Sequence, residues 1–396
     1  MGMWIKCMVV AAVAVNGYGA DWPIWRGPNA NGIAAETNLN PQKASRLWSK
    51  EIGLGYSSIS VKSGKLYTMG HKPGKGKVGT DIVYCLDALT GKEIWKHADP
   101  CETGKFKGPR ATPVLDGSNL YIVSRMGVVY CLDAASGEVK WKTDTLQKTG
   151  NKNIRWGISS SAVIDGDLLL LNVGDAGTAL DKTNGKIVWK SVGKASYATP
   201  VLFDHKGKRC AAIFSAPGLQ VVEVRNGRKL ASYEWKTSYD INGADPIVIG
   251  DKIFISSGYK HGNALLGFSG NKLKKIWEND VLKNQFSSSV YLDGHIYGID
   301  GQTKKKGYLR CISAKDGSEA WNMPIGFGSL IAADGMLIAL DESGTLHFAK
   351  ATPEKHMEVA TFETGLSKLC WTPPALANGI VYCRNDKGTL VAVDVR

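Results

Sequence analysis

The chain has 396 residues, of which 43% are hydrophobic and 21% charged, with 46 glycines and a formal net charge of +13. That balance is ordinary for a soluble globular protein with a large core. Eight cysteines with no CxxC, CxxCH or adjacent Cys-Cys pair exclude a disulfide framework, a c-type haem site and a zinc site.

In chain order, the first stretch is MGMWIKCMVVAAVAVNGYGA. One lysine, Lys6, precedes an apolar run from Cys7 to Val15, and small residues follow before Asp21. This layout predicts a signal peptide over residues 1–20 and export to the periplasm or the medium; the run is too short to span a bilayer. Tyr18 sits awkwardly for a cut after Ala20, which leaves Gly17 and Gly19 as alternative cleavage points. Cys7 lies too early in the run to be a lipid-modified cysteine. Residues 21–396 are expected to form one domain.

That domain is a repeat. Tryptophans recur at Trp48, Trp95, Trp141, Trp189, Trp235, Trp277 and Trp321, at intervals of 42 to 48 residues, and Phe362 continues the series. Ahead of each lies the same grammar, as in ATPVLDGSNLYIV, DPIVIGDKIFISS and SSVYLDGHIYGI. A small or hydroxyl residue is followed by an apolar strand, an Asp-Gly or Gly-Asp turn and a second β-rich strand. Such runs are antiparallel hairpins, and each unit holds about four short strands. A four-stranded sheet with two apolar faces must be sandwiched by its neighbours, which is the requirement of a β-propeller blade. Inner strands near residues 58, 112, 160, 199, 245, 288, 329 and 373 predict an all-β, eight-bladed propeller, with seven blades as the alternative. The last unit runs out after three strands, and ASRLWSKEIG, carrying Trp48, is expected to supply the missing outer strand.

The phrase YCLDALTGKEIWK, repeated at 130–142 as YCLDAASGEVKWK, is then a third strand, a turn and an outer strand. Asp87 is placed to bond the turn backbone, Gly91 supplies a positive φ, and Trp95 offers a flat plate to the adjoining blade. The tryptophan series is therefore expected to dock blades.

These residues resemble the tryptophan-docking repeat of the pyrroloquinoline quinone (PQQ) superfamily, and DWPIWRGPNANG followed by LWSKEIGLGYSS is similar to the start of bacterial PQQ-like repeat proteins. The resemblance implies an exported eight-bladed propeller. It also implies two functional branches: quinoprotein dehydrogenases, which hold PQQ and calcium at the axis and use an Asp base, and non-enzymatic propellers such as the lipoprotein of the outer-membrane β-barrel assembly machine. The adjacent-cysteine pair and the long insertions of many of the alcohol dehydrogenases are missing from this chain.

No HExxH, GxxxxGK[ST] or GxSxG occurs, and the seven histidines are scattered. Alignment of the inner-strand starts places Tyr56, Arg110, Ile158, Tyr197, Gly243, Phe286, Phe327 and Trp371 around the mouth of the axis, one per blade. Such aromatics with one Arg either stack on a ligand or plug the channel. Two positions on, the residue is Ser or Thr in six blades, with Asp245 and Pro373 as exceptions. Asp245, with Asn242 and Asp240 nearby, is the candidate calcium ligand or general base, against the alternative of a turn-capping Asp before Pro246.

Lysine-rich loops, HKPGKGKVG, ETGKFKGPR, QKTGNKNIR, YKHG and QTKKKG, fall on one face, while Asp116, Asp165, Asp167, Asp251, Asp293 and Asp334 fall on the other. The basic face either meets an anionic partner or is merely solvated. The expected function is thus a monomeric, non-enzymatic propeller without a cofactor that binds a protein or an acidic polysaccharide, and no nucleic acid. The alternative is an oxidoreductase using PQQ and calcium on alcohols or sugars.

Overall fold

The computed structural model describes residues 20–302 and 306–396. The expected signal segment therefore lies, but for Ala20, outside the described residues, as do Thr303 to Lys305 of the QTKKKG loop. Among the described residues no helix is long and apolar enough to cross a membrane.

The described residues form eight four-stranded antiparallel sheets, so the ring has eight blades and not seven. Blade 1 comprises Ser60–Lys62, Lys65–Lys72, Val78–Asp87 and Glu93–Glu102. Blades 2 to 7 repeat the pattern over 114–144, 163–190, 201–234, 247–279, 290–324 and 328–363. Blade 8 takes Ala375–Ala377, Ile380–Arg384 and Thr389–Asp394 from the end of the chain and Ser45–Glu51 from its beginning, with Trp48 opposite Ala392. Closing the ring in this way leaves no blade with a missing outer strand.

Blades 1, 2, 3, 5 and 6 are each joined to the next by an outer-strand tryptophan. Trp95 Nε1 donates to the Ala134 carbonyl at 3.1 Å, Trp141 to Lys182 at 3.1 Å, Trp189 to Val224 at 2.8 Å, Trp277 to Ala314 at 3.2 Å and Trp321 to Thr352 at 2.8 Å. In blades 1 and 2 a tyrosine on the second strand reaches the same carbonyl with its hydroxyl. Tyr67 donates to Ala134 at 3.0 Å and Tyr121 to Lys182 at 3.1 Å, so one carbonyl uses both lone pairs across the blade boundary. The seam that closes the ring repeats this, with Trp48 and Tyr382 both on Ala88 at 3.1 Å. Trp235 departs from the pattern: it follows its strand, and its indole donates to Ser257 Oγ at 3.0 Å.

A second set of bonds runs along the axis from blade 2 to blade 6. The backbone N–H of Thr112 donates to Ser161 Oγ, that of Ser161 to Thr199 Oγ1, that of Thr199 to Asp245 Oδ1 and that of Asp245 to Ser288 Oγ, at 2.7 to 3.1 Å. In this arc the hydroxyls of Ser161, Thr199 and Ser288 serve as acceptors for the neighbouring blade. Blade 3 enters the arc through Ser161, one residue later than the sequence alignment had it, and Ile158 is buried in the core between blades rather than at the mouth. All seven described cysteines are buried and free.

The segment before the first strand is a strap across the turn end of the axis. Trp22 pairs with Val61 of blade 1, the Pro23 carbonyl accepts from Leu115 of blade 2, Arg26 donates to the Ser289 carbonyl of blade 6, and Ile33 bridges to Ala332 of blade 7.

Candidate functional site: the aromatic mouth

In each blade the loops between strands two and three and the loops leading to the next blade emerge on one face. At the axis of that face lies a cavity of about 260 Å³. Tyr56, Arg110, Tyr197, Phe286 and Trp371 line it, so five of the six mouth residues are brought together. The sixth, Phe327, is buried behind the wall and meets Phe286 edge to face at 5.1 Å.

The rings form a collar. Tyr56 stacks on Trp371 at 5.4 Å, and Phe286 and Phe106 pack on Trp371 at 5.2 and 6.0 Å. Phe106 continues to Trp156, Trp156 to Tyr197 and Tyr239, and Tyr239 to Tyr259, at 5.9 to 6.4 Å. These are favourable offset and edge-to-face separations. Phe106, Tyr239 and Tyr259 stand on left-handed backbone, with φ of 53°, 65° and 56°. Such conformations persist only where the surroundings enforce them, and they gather at binding sites.

Phe106, Trp156, Tyr239 and Tyr259 escape a reading based on strand starts because they sit in the connecting loops. The signal for Phe106 and Trp156 was a bulky ring inside a Lys/Gly-rich loop, in ETGKFKGPR and GNKNIRWG. Trp25, which forms the floor, was legible only as an unexplained tryptophan in a Pro/Gly-rich segment.

The charged groups are held firmly. Arg110 donates to the carbonyls of Gly108 and Phe106 at 3.0 and 2.7 Å and lies over the Tyr56 ring at 5.7 Å. Burial is the main cause that lowers its pKa, to about 10, so it remains a cation at neutral pH. Burial likewise pushes the Tyr56 and Tyr197 phenols up to about 12 and keeps them protonated.

Asp245 is buried at the floor. Its Oδ2 accepts from Trp25 Nε1 at 2.6 Å and lies 3.8 Å from Arg26 Nη1, while its Oδ1 accepts from Thr199 N at 2.7 Å. Burial pushes the carboxyl up, and Arg26 and these bonds oppose the rise. Asn242 and Asp240 turn elsewhere. The Asn242 amide donates to the carbonyls of Ser215 and Trp235 and accepts from Ser257, and Asp240 pairs with exposed Lys194 at 3.1 Å.

Calcium takes six to eight oxygen ligands. Here the one carboxylate at the axis is bonded on both oxygens and flanked by a guanidinium, and no group of three acidic, His or Cys side chains placed for a metal occurs among the described residues. This donor set does not fit a calcium ion. A flat quinone finds no slot between Tyr56 and Trp371 either, since those rings already stack on each other.

A family described as "Outer membrane protein assembly factor BamB" matches residues 79–323 and again 305–396. The chain belongs to this PQQ-like propeller family. Among solved structures, BamB from Moraxella catarrhalis superposes with a TM-score of 0.64 at 16% identity, over 89% of this chain and 97% of that one. The quinohemoprotein alcohol dehydrogenase from Comamonas testosteroni gives 0.73 at 12% identity, over 95% and 80%, and that of Pseudomonas putida HK5 gives 0.69 at 10% identity over the same shares. At these identities the likeness is one of fold. No curated protein matches the sequence.

Proposed function

We propose that this member of the family is an exported, non-enzymatic propeller that holds a macromolecular partner, a protein or an anionic glycan, against the mouth and its basic rim. The observation that carries this reading is the collar itself, whose rings surround a cavity where the carboxylate that lines it, Asp245, is tied to Trp25, Arg26 and Thr199. Such a lining supplies contact area and orientation, and its one lining carboxylate, Asp245, is already engaged on both oxygens rather than poised for proton transfer. The family description, an assembly factor of outer membrane proteins, supports a protein partner and a periplasmic site of action. Fold likeness to alcohol dehydrogenases supports the oxidoreductase alternative, with PQQ and calcium, but the residues at the axis do not.

Two measurements test the proposal. Titration with PQQ and calcium is expected to change neither the absorbance of the quinone nor the melting temperature of the protein; a saturable change with dye reduction by alcohols or sugars would refute it. Retention on anionic beads is expected to fall when Lys105, Lys107 and Lys152 are replaced by Ser, and retention that survives the replacement removes the basic rim from the proposal.

A further inference from the structure

The mouth discriminates between the two classes of partner just named, and the inference drawn here rests on the binding reading above. Among the described residues, most of the polar side chains of the lining are committed to the protein, the Tyr56 hydroxyl being an exception. Ser161 and Thr199 belong to the axial hydrogen-bond arc, Ser159 Oγ donates to the Gly157 carbonyl at 3.1 Å, Gln285 donates to Tyr259 Oη at 3.0 Å, and Arg110 is spread over two carbonyls. A sugar ring carries a hydroxyl on most carbons, and each one buried without a partner costs roughly 1–3 kcal/mol. The cavity instead offers ring faces. Its volume of about 260 Å³ lies below the usual range for a whole drug-sized ligand, roughly 300–1,000 Å³, and suits a bulky side chain.

The rim adds a sign. Lys105, Lys107, Lys152, Arg155 and Lys260 are exposed in the loops around the cavity and are joined by no ion pair among the described residues. Arg155 is stacked over Trp156 and Tyr239, at 5.3 and 4.9 Å, which fixes one cation at the lip. The acids of the same loops are fewer, and Asp240 is neutralised by Lys194.

We infer that the mouth receives an aromatic side chain presented by an acidic peptide segment, the ring entering the collar and the flanking carboxylates meeting Arg155 and the loop lysines. Aromatic anchors in desolvated pockets with charged surroundings are the usual source of binding energy in such contacts.

The test is selection of a displayed library of random peptides on the folded protein, followed by fluorescence anisotropy with the synthetic peptides selected. Enrichment of an aromatic residue flanked by Asp or Glu is expected. Replacing that aromatic by Ala is expected to weaken binding about tenfold or more, as is Trp156→Ala in the protein. Arg155→Ala and a rise in salt should each weaken it severalfold. Unchanged melting temperatures show that the variants are folded, and removing the peptide's aromatic serves the same purpose from the other side. Absence of enrichment, enrichment of rings without acids or of acids without rings, or equal binding of an oligogalacturonate at the mouth overturns the inference. The oligogalacturonate outcome leaves the binding reading intact, whereas turnover with PQQ removes both.

Discussion

At Gly137 the backbone φ is 79°, and an added Cβ would lie 2.5 Å from Trp95 Cε3 of the preceding blade. The turn glycine thus answers two demands: the left-handed conformation, and the indole plate lying on it. Gly166 separates them, because its φ is 56° but nothing lies within 4 Å of its Cβ position. Gly166→Ala is expected to cost the left-handed term alone, about 1–2 kcal/mol. Gly137→Ala should cost roughly 1–3 kcal/mol more through overpacking against Trp95. Urea unfolding of the two variants measures the difference; equal midpoints would mean that the indole moves aside freely. The Asp…Gly…Trp spacing is the part of the fold most legible in the sequence, because each residue in it meets a local demand that recurs in every regular blade. Its meaning for the neighbouring blade, the Trp indole on a carbonyl next to the Asp, involves residues about forty positions apart and emerges only when blades are side by side.

Among the elements, the strap from Trp22 to Ala34 has the most concentrated energetics. Arg26 and Asp245 are both buried, and each is the other's counter-ion, with Arg26 also donating to the Asn31 and Ser289 carbonyls. Removing one charge from a buried pair strands the other, which typically costs about 3–5 kcal/mol, whereas removing both is far milder. Asp245→Asn is therefore expected to be strongly destabilising, and Arg26→Met added to it should restore much of the loss in a double-mutant cycle followed by denaturant unfolding. Additive losses would show that the two side chains act independently. This pair also explains what sequence reading could and could not reach. Asp245 stood out as an acid where six blades carry Ser or Thr, and the structure places it in the axial hydrogen-bond arc. Its partner at residue 26 lies over two hundred positions away in a segment without periodicity, so no spacing argument connects them. The mouth divides the same way: Tyr56, Arg110, Tyr197, Phe286 and Trp371 follow from strand register, while Phe106, Trp156, Tyr239 and Tyr259 depend on how long loops fold back over the axis.

For the molecule as a whole, stability turns on the seam between blades 8 and 1. Seven blades are made of consecutive strands, so loss of one outer strand leaves the ring connected through the chain. Blade 8 is closed by the pairing of Ser45–Glu51 with Thr389–Asp394 and joined to blade 1 by Trp48 and Tyr382 on Ala88, by Arg384 and by a shared apolar core. Arg384 is fully buried, and its guanidinium donates to the carbonyls of Ser57 and Gly53 in the chain entering blade 1 and of Met69 on that blade's second strand, at 2.6 to 3.1 Å. Burial lowers its pKa to about 10, which still leaves it charged at neutral pH. Exchanging Ser45–Glu51 for a glycine–serine stretch should open the seam, expose the edge of Thr389–Asp394 and favour strand pairing between copies. The same exchange at Val139–Asp144, the outer strand of blade 2, leaves the closure intact. The expected outcome is a larger fall in the urea midpoint and a shift to higher-order species in size-exclusion chromatography for the first variant than for the second. Matching behaviour of the two would place the resistance to opening in the strap instead, since it bridges blade 1 at Trp22 and blade 7 at Ile33 when the outer pairing is gone.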